Sequence, residues 1–199
     1  LVRYDDYNFQ VTEIKPYAFN GYSRLTQIIM GNNVEKIGNY GFEGCKNLTD
    51  VELSNSLYDA GYNAFCDCTR LEEITLPASL TGNASEMFSG CKSLKKVNFA
   101  EGATTIPNGL FKNMAITTFE CPDSITRIGD EAFQNCNKLE NVVFSKNLER
   151  IGAGAFRDCT KLTEVELPDT LKVMENDYNG GSFGDCINLQ KVKIPQTLV

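Results

Sequence analysis

The chain contains no histidine and no tryptophan. Without histidine there is no Ser-His-Asp or Cys-His chemistry, no His-ligated metal site, and no side chain of the kind that most often serves as general base near pH 7. No apolar run approaches the ~20 residues that a membrane-spanning helix requires, so direct membrane insertion is not expected. Basic residues are the minority: 19 Lys and Arg stand against 26 Asp and Glu, a formal net charge of −7. That balance disfavours nucleic acid, whose affinity rests on phosphate neutralisation, and disfavours an anionic membrane surface. No Cys-x-x-Cys pair occurs, which removes the usual zinc spacing. The chain opens at Leu1 with neither Met nor a signal peptide, which suggests a trimmed sequence.

What is present is a repeat. Phenylalanines fall at 19, 42, 65, 88, 111, 133, 156 and 183, a period of 23 residues with one shortening to 22 and one lengthening to 27. A fixed period in the twenties predicts a solenoid of stacked units. Two residues after each Phe stand Gly21, Gly44, Asp67, Gly90, Asn113, Asn135, Asp158 and Asp185. These types tolerate a left-handed backbone, so each Phe is expected in a short helical turn that stops just after it. Three residues after the Phe come Cys45, Cys68, Cys91, Cys136, Cys159 and Cys186.

A Leu-x-x-Val-x-Leu stretch follows, as in Leu48-Val51-Leu53 and Leu162-Val165-Leu167. Its last two apolar positions alternate with polar ones, the period of a half-buried strand. Pro77, Pro122, Pro168 and Pro195 close four of these strands. A second apolar pair, such as Leu148-Ile151, predicts a short second strand on another wall.

The unit Leu-x-x-Val-x-Leu-Pro-x-x-Leu-x-x-Ile-Gly-x-x-Ala-Phe-x-x-Cys resembles the BspA-like leucine-rich repeat family of bacterial surface proteins. The resemblance implies an α/β fold: a right-handed leucine-rich repeat solenoid with a parallel concave sheet of about eight strands, short helical turns and short second strands on the other walls. It spans residues 1–199 as one domain, with residues 1–10 as an atypical, cap-like segment. It implies secreted or surface display and a host or bacterial surface protein as partner. It carries no catalytic residue and no cofactor.

Eight cysteines in an exported chain invite disulfides. Six share one repeat position, however, and stacked side chains point the same way about a strand spacing apart, wider than a disulfide bridges. The expectation is a column of free, buried thiols.

Outward strand positions form the concave face, with Asp50, Glu52, Glu73, Lys96, Glu120, Val143, Glu164 and Glu166 as candidate partner contacts. Glu73 beside Lys96, and Glu164 and Glu166 beside Lys191 and Lys193, are opposite-charge neighbours. Asp50 and Glu73 stack like on like, close to Glu52 and Glu72. This acidic patch is where a cation would bind if one does. No Tyr or Trp occupies an outward strand position, which argues against a sugar-stacking platform. Tyr17 and Tyr40 share a repeat position and are expected to stack, either sealing the N-terminal end or anchoring a partner. The eighth unit carries extra residues within Glu175–Gly181, and Asp177 and Tyr178 there are further contact candidates.

The function expected is a non-catalytic protein-binding or adhesion module. The alternatives are a structural spacer holding other domains off a cell wall and a glycan-binding accessory. A solenoid also needs caps. Tyr4–Gln10 can supply one, whereas the chain stops mid-repeat with Leu198 in a core-facing position. More chain, or a partner copy, is therefore expected beyond it.

Overall fold

One 23-residue unit cannot bury its own Phe and Leu residues, so its neighbours must cover them. The structure, a computed structural model, describes residues 2–4, 7–178 and 180–195, and its architecture follows from that requirement. The Phe residues define eight rungs of a solenoid. In most rung pairs the Phe rings stack face to face, with centroids 5.1 Å apart for Phe19–Phe42 and Phe42–Phe65, and 4.9 and 5.0 Å for Phe133–Phe156 and Phe156–Phe183. Such a contact adds about 0.5–1.5 kcal/mol to the burial of the ring. Leu48, Leu71, Leu139 and Leu162 form a second, fully buried column beside it.

The concave wall is built from parallel strands paired two by two. Gln27–Ile29 pairs with Asp50–Glu52, Glu73–Leu76 with Lys96–Phe99, Thr118–Glu120 with Asn141–Val143, and Glu164–Glu166 with Lys191–Lys193. Of the four units that lack the terminating proline, two carry Ser54 and Ser145 in its place. Both are buried, and each Oγ accepts the amide two residues on, of Ser56 and Asn147, at 3.1 Å. The second wall carries two short parallel sheets. One is Glu13–Ile14, Lys36–Ile37 and Asp59–Ala60; the other is Thr105–Ile106, Arg127–Ile128, Arg150–Ile151 and Val173–Met174. The glycine after this second strand is set by close approach: a Cβ at Gly61 would lie 2.4 Å from the Asn39 nitrogen of the rung below.

The third wall departs from expectation. No helix occurs among the described residues; the segment around each Phe is a series of turns. All eight residues two after the Phe are left-handed as expected, from φ 55° at Asp185 to 73° at Gly21. A second left-handed position lies two before the Phe, at Tyr17, Tyr40, Asn63, Glu86, Gly109, Glu131 and Gly154. Two such residues in five cannot sit in a helix. They turn alternate amides along the solenoid axis instead. Tyr17 donates to the Asn39 carbonyl at 3.0 Å, Phe19 to Gly41 at 2.8 Å and Gly21 to Glu43 at 2.7 Å. Bonds that a helix would close within one rung are thus spent between rungs.

The cysteines obey the same logic. All eight are free and buried. In the repeat column each Sγ donates to the Phe carbonyl of the preceding rung: Cys45 to Phe19, Cys68 to Phe42, Cys91 to Phe65, Cys136 to Phe111, Cys159 to Phe133 and Cys186 to Phe156, at 3.0–3.3 Å. The thiol is thus a small apolar group with one weak donor, used here once in each of six rungs. The atypical N-terminal segment forms an antiparallel pair, Val2–Tyr4 with Tyr7–Phe9. Leu1, Asp5 and Asp6 of that segment, Asn179, and Gln196–Val199, with the Leu198 expected to face the core, lie outside the described residues.

Candidate functional site

The period-two alternation of the concave strands sends Asp50, Glu52, Glu73, Lys96, Glu120, Val143, Glu164 and Glu166 outward, and all eight are exposed. Their inward neighbours Ile74, Val142 and Val165 are buried. Register pairs Glu73 with Lys96, Glu164 with Lys191 and Glu166 with Lys193. The Lys191 ammonium lies 3.2 Å from Glu164, and Lys193 is ion-paired with Glu166. The Lys193 ammonium, hydrogen-bonded to Glu166, holds that carboxyl below its ordinary value. These pairs are open to water, so they add little to stability.

Opposite charges therefore face each other inside two of the four strand pairs, whereas Asp50 and Glu73 face each other where pairing lapses. Asp50–Glu52 and Glu73–Leu76 adjoin, but no ladder joins them. Like charges directly opposite disfavour such a ladder. A hollow of about 650 Å³ opens at this seam. Gln27, Thr49, Asp50, Glu52, Arg70, Glu72, Glu73, Thr75 and Ser93 line it. The Thr49 hydroxyl donates to Asp50 at 2.6 Å, and Glu72 is paired with Lys95 at 3.0 Å. Among the described residues no group of three carboxylates or thiols is placed to hold a metal ion, so Asp50, Glu52, Glu72 and Glu73 share a hollow without forming a coordination shell.

A second hollow, of about 550 Å³, lies over the lapse between Asn141–Val143 and Glu164–Glu166. It combines Lys146, Lys191 and Lys193 with Glu164, Glu166 and Asp169 around an apolar floor that includes Val143 and Pro168.

The remaining candidates stand away from this face. Tyr17 and Tyr40 stack at 4.9 Å with planes 11° apart on the turn wall, and Tyr62 meets Tyr40 edge-on at 5.5 Å. Both stacked tyrosines occupy the left-handed position before the Phe, an uncommon conformation for so large a side chain. The insertion of the eighth rung forms an antiparallel pair, Asn176–Asp177 with Gly180–Gly181. Tyr178 is fully exposed there, while Asp177 turns inward and accepts a 2.5 Å bond from the buried Arg157.

Two parts of this picture were missed in the sequence. Gln27 and Ile29 occupy the outward strand positions of the first rung and were legible from the repeat register; Ile29 is two-thirds exposed. Arg157 had no such signal, because its repeat position holds Asn20, Glu43, Cys66, Ser89, Lys112 and Gln134 in other rungs.

The family described as BspA type leucine rich repeat region matches the chain in six copies, over residues 12–140 and 127–199. Among solved structures, the T. pallidum leucine rich repeat protein TpLRR is similar at 29% identity with a TM-score of 0.60, covering 80% of this chain and 74% of that one. The pneumococcal vaccine antigen PcpA is similar at 26% identity and TM-score 0.48, over 80% of this chain and 43% of that one. A leucine rich cell surface protein from Faecalibacterium prausnitzii is similar at 22% identity and TM-score 0.43, over 94% and 72% of the two chains. No curated protein matches significantly.

Proposed function

The chain belongs to the BspA-type leucine-rich repeat family, and from that premise we propose that it is a non-catalytic protein-binding module whose concave sheet is the recognition surface. One observation carries this reading: both hollows of the concave wall open where strand pairing lapses, and both are rimmed by exposed charged side chains. Backbone groups left out of a ladder are free to meet a partner's, and charged rims steer association and set specificity more than affinity. Ile29 and Val143, about two-thirds and one-half exposed, add apolar contact beside the charges. Display on a bacterial surface and a surface protein as partner, which the sequence resemblance implies, belong to the same proposal.

The test is an array of bacterial surface and host matrix proteins probed with the isolated chain. It is repeated with an Asp50→Asn, Glu52→Gln, Glu73→Gln variant and with Val143→Asp. A partner that binds the parent chain and is lost on one of these variants, with the melting temperature unchanged, supports the reading. Binding that survives all four changes moves the site off the concave face, and an empty array favours the spacer.

A further inference from the structure

We propose that the solenoid contains a built-in joint between its fourth and fifth rungs, which divides it into two stiff blocks and sets the angle between the two concave hollows. Four independent features lapse together there. The Phe stack runs from Phe19 through Phe42 and Phe65 to Phe88, then starts again at Phe111; among the described residues no ring contact joins Phe88 to Phe111, and Phe111 packs on Phe119 at 5.3 Å. The ladder of the turn wall thins at the same place. Asn63, Phe65 and Asp67 donate to the fourth rung, and Gly109, Phe111 and Asn113 to the sixth, but between the fourth and fifth rungs the bond on this ladder is Glu86 to Gly109 at 3.0 Å. On the second wall the two short sheets are bridged through the fourth rung by the single Asn83–Asn108 pairing. On the concave wall every second pair of neighbouring strands lies in different sheets, but Lys96–Phe99 and Thr118–Glu120 adjoin less closely than the other two unladdered neighbours do.

The sequence accounts for the lapse. Pro107 stands where Gly38, Gly61, Gly129 and Gly152 each donate an amide to the rung below, and proline has no amide to give. Ala84 stands at the same repeat position of the fourth rung, where a Cβ at Gly61 would meet backbone at 2.4 Å. Met114 replaces the column cysteine, so the fifth rung has no thiol to bond the Phe88 carbonyl. The one-residue shortening of the chain falls directly after it.

The apolar core continues through the joint, with Met87, Ile106 and Leu110 buried. Apolar contact is non-directional and survives a small tilt or slide, whereas a hydrogen-bond ladder does not. The joint therefore bends without parting. One hollow is lined by rungs one to four and the other by rungs six to eight, so bending changes their mutual orientation. This inference does not rest on the binding proposal, and a rigid joint would leave that proposal untouched.

Nitroxide pairs two rungs apart, ~10 Å by strand spacing, test it in the full chain. Labels go on cysteines introduced at Lys46, Lys92, Asn137 and Ile187, all exposed while the native thiols are buried. The Lys92/Asn137 pair spans the joint; Lys46/Lys92 and Asn137/Ile187 lie within the blocks. Dipolar broadening in the EPR spectrum is expected to be weaker and more spread for the spanning pair than for either reference, and equal broadening in all three overturns the joint. Hydrogen exchange gives a second reading. The Phe88 and Gly90 amides should exchange at least about tenfold faster than Phe65 and Asp67, and equal protection overturns the joint as well.

Discussion

Arg157, buried in the wall of the seventh rung, donates through Nη2 to the carboxylate of Asp177, which lies on the hairpin inserted twenty residues later. Its guanidinium lies so close to Gly154 that a Cβ there would meet Cζ at 3.1 Å, and its Nε has no hydrogen-bond partner among the described residues. The inserted hairpin is thus fastened to the solenoid through a desolvated charge. Glu175 reinforces the fastening at its base, by an ion pair with Arg150 and by accepting from the buried Ser182 hydroxyl at 2.9 Å.

Removing one partner of that pair should cost more than removing both. Asp177→Ala leaves Arg157 buried and uncompensated, and we expect a loss of about 2–3 kcal/mol in urea unfolding, discounted because Asp177 is partly exposed. The double variant Arg157→Leu, Asp177→Ala should recover part of the loss. A cycle with no coupling between the two positions would show the contact to be decorative.

The buried thiols predict an alkaline limit. Burial pushes the Cys136 thiol up to about 12 and Cys121 up to about 11, against about 8.5 in an unfolded chain. A group raised in the fold lends stability that is fully present below the unfolded value and lost as pH rises through the folded one. Stability should therefore be flat below about pH 8.5 and fall from there toward pH 12, each pH unit costing about 1.4 kcal/mol per thiol that is ionised only in the unfolded chain. Cys136→Ala should flatten the slope, and a parent curve with no slope above pH 9 refutes this. The same burial predicts that a thiol reagent at pH 8 titrates no cysteine in the native protein and all eight in denaturant.

Truncations along the Phe stack should be graded by burial. Phe133 is fully buried between Phe111 and Phe156, so Phe133→Ala should cost about 3–5 kcal/mol. Phe19 is 37% exposed at the near end of the stack, and Phe19→Ala should cost less than half as much. Equal losses in thermal unfolding would mean that stacking, not burial, sets the energy.

Two glycines give a paired control. Gly61→Ala forces a Cβ to 2.4 Å from the Asn39 nitrogen and should destabilise the chain, whereas Gly31→Ala meets nothing within 4 Å. At Gly31 the smaller entropy of the unfolded chain should leave stability unchanged or raised by about 0.4–1 kcal/mol. Comparable melting temperatures for the two variants would contradict the close rung approach at Gly61.

Much of this molecule was legible in its sequence because a solenoid repeats its constraints. Six cysteines in register announced a column of unbonded thiols, and eight Gly, Asn or Asp residues two after the Phe announced a left-handed turn. The helical turn was misread because the second left-handed position is occupied by Tyr17, Tyr40, Glu86 and Glu131, types with no preference for that conformation. There the inter-rung ladder imposes what the side chain does not favour. The outward residues of the concave face followed from alternation alone. The two-by-two pairing did not, because the alternation is the same in every rung and like charges mark only the lapse between Asp50 and Glu73. The bond between Arg157 and Asp177 was hidden for another reason: it joins a repeat to an insertion, and no periodicity relates the two.

The turn wall also has an electrical direction. Its rung-to-rung amides all donate toward higher residue numbers, Phe19 to Gly41, Phe42 to Ala64 and Phe133 to Ala155, while the carbonyls that receive them point back. Peptide dipoles aligned this way add, as they do in a helix, but with the opposite sense: the positive pole faces the later rungs and the negative pole the earlier ones. The thiols of six rungs oppose this with weak dipoles, one each against two or three amides. An anionic group is thus favoured against the late end of this wall and a cationic group against the early end.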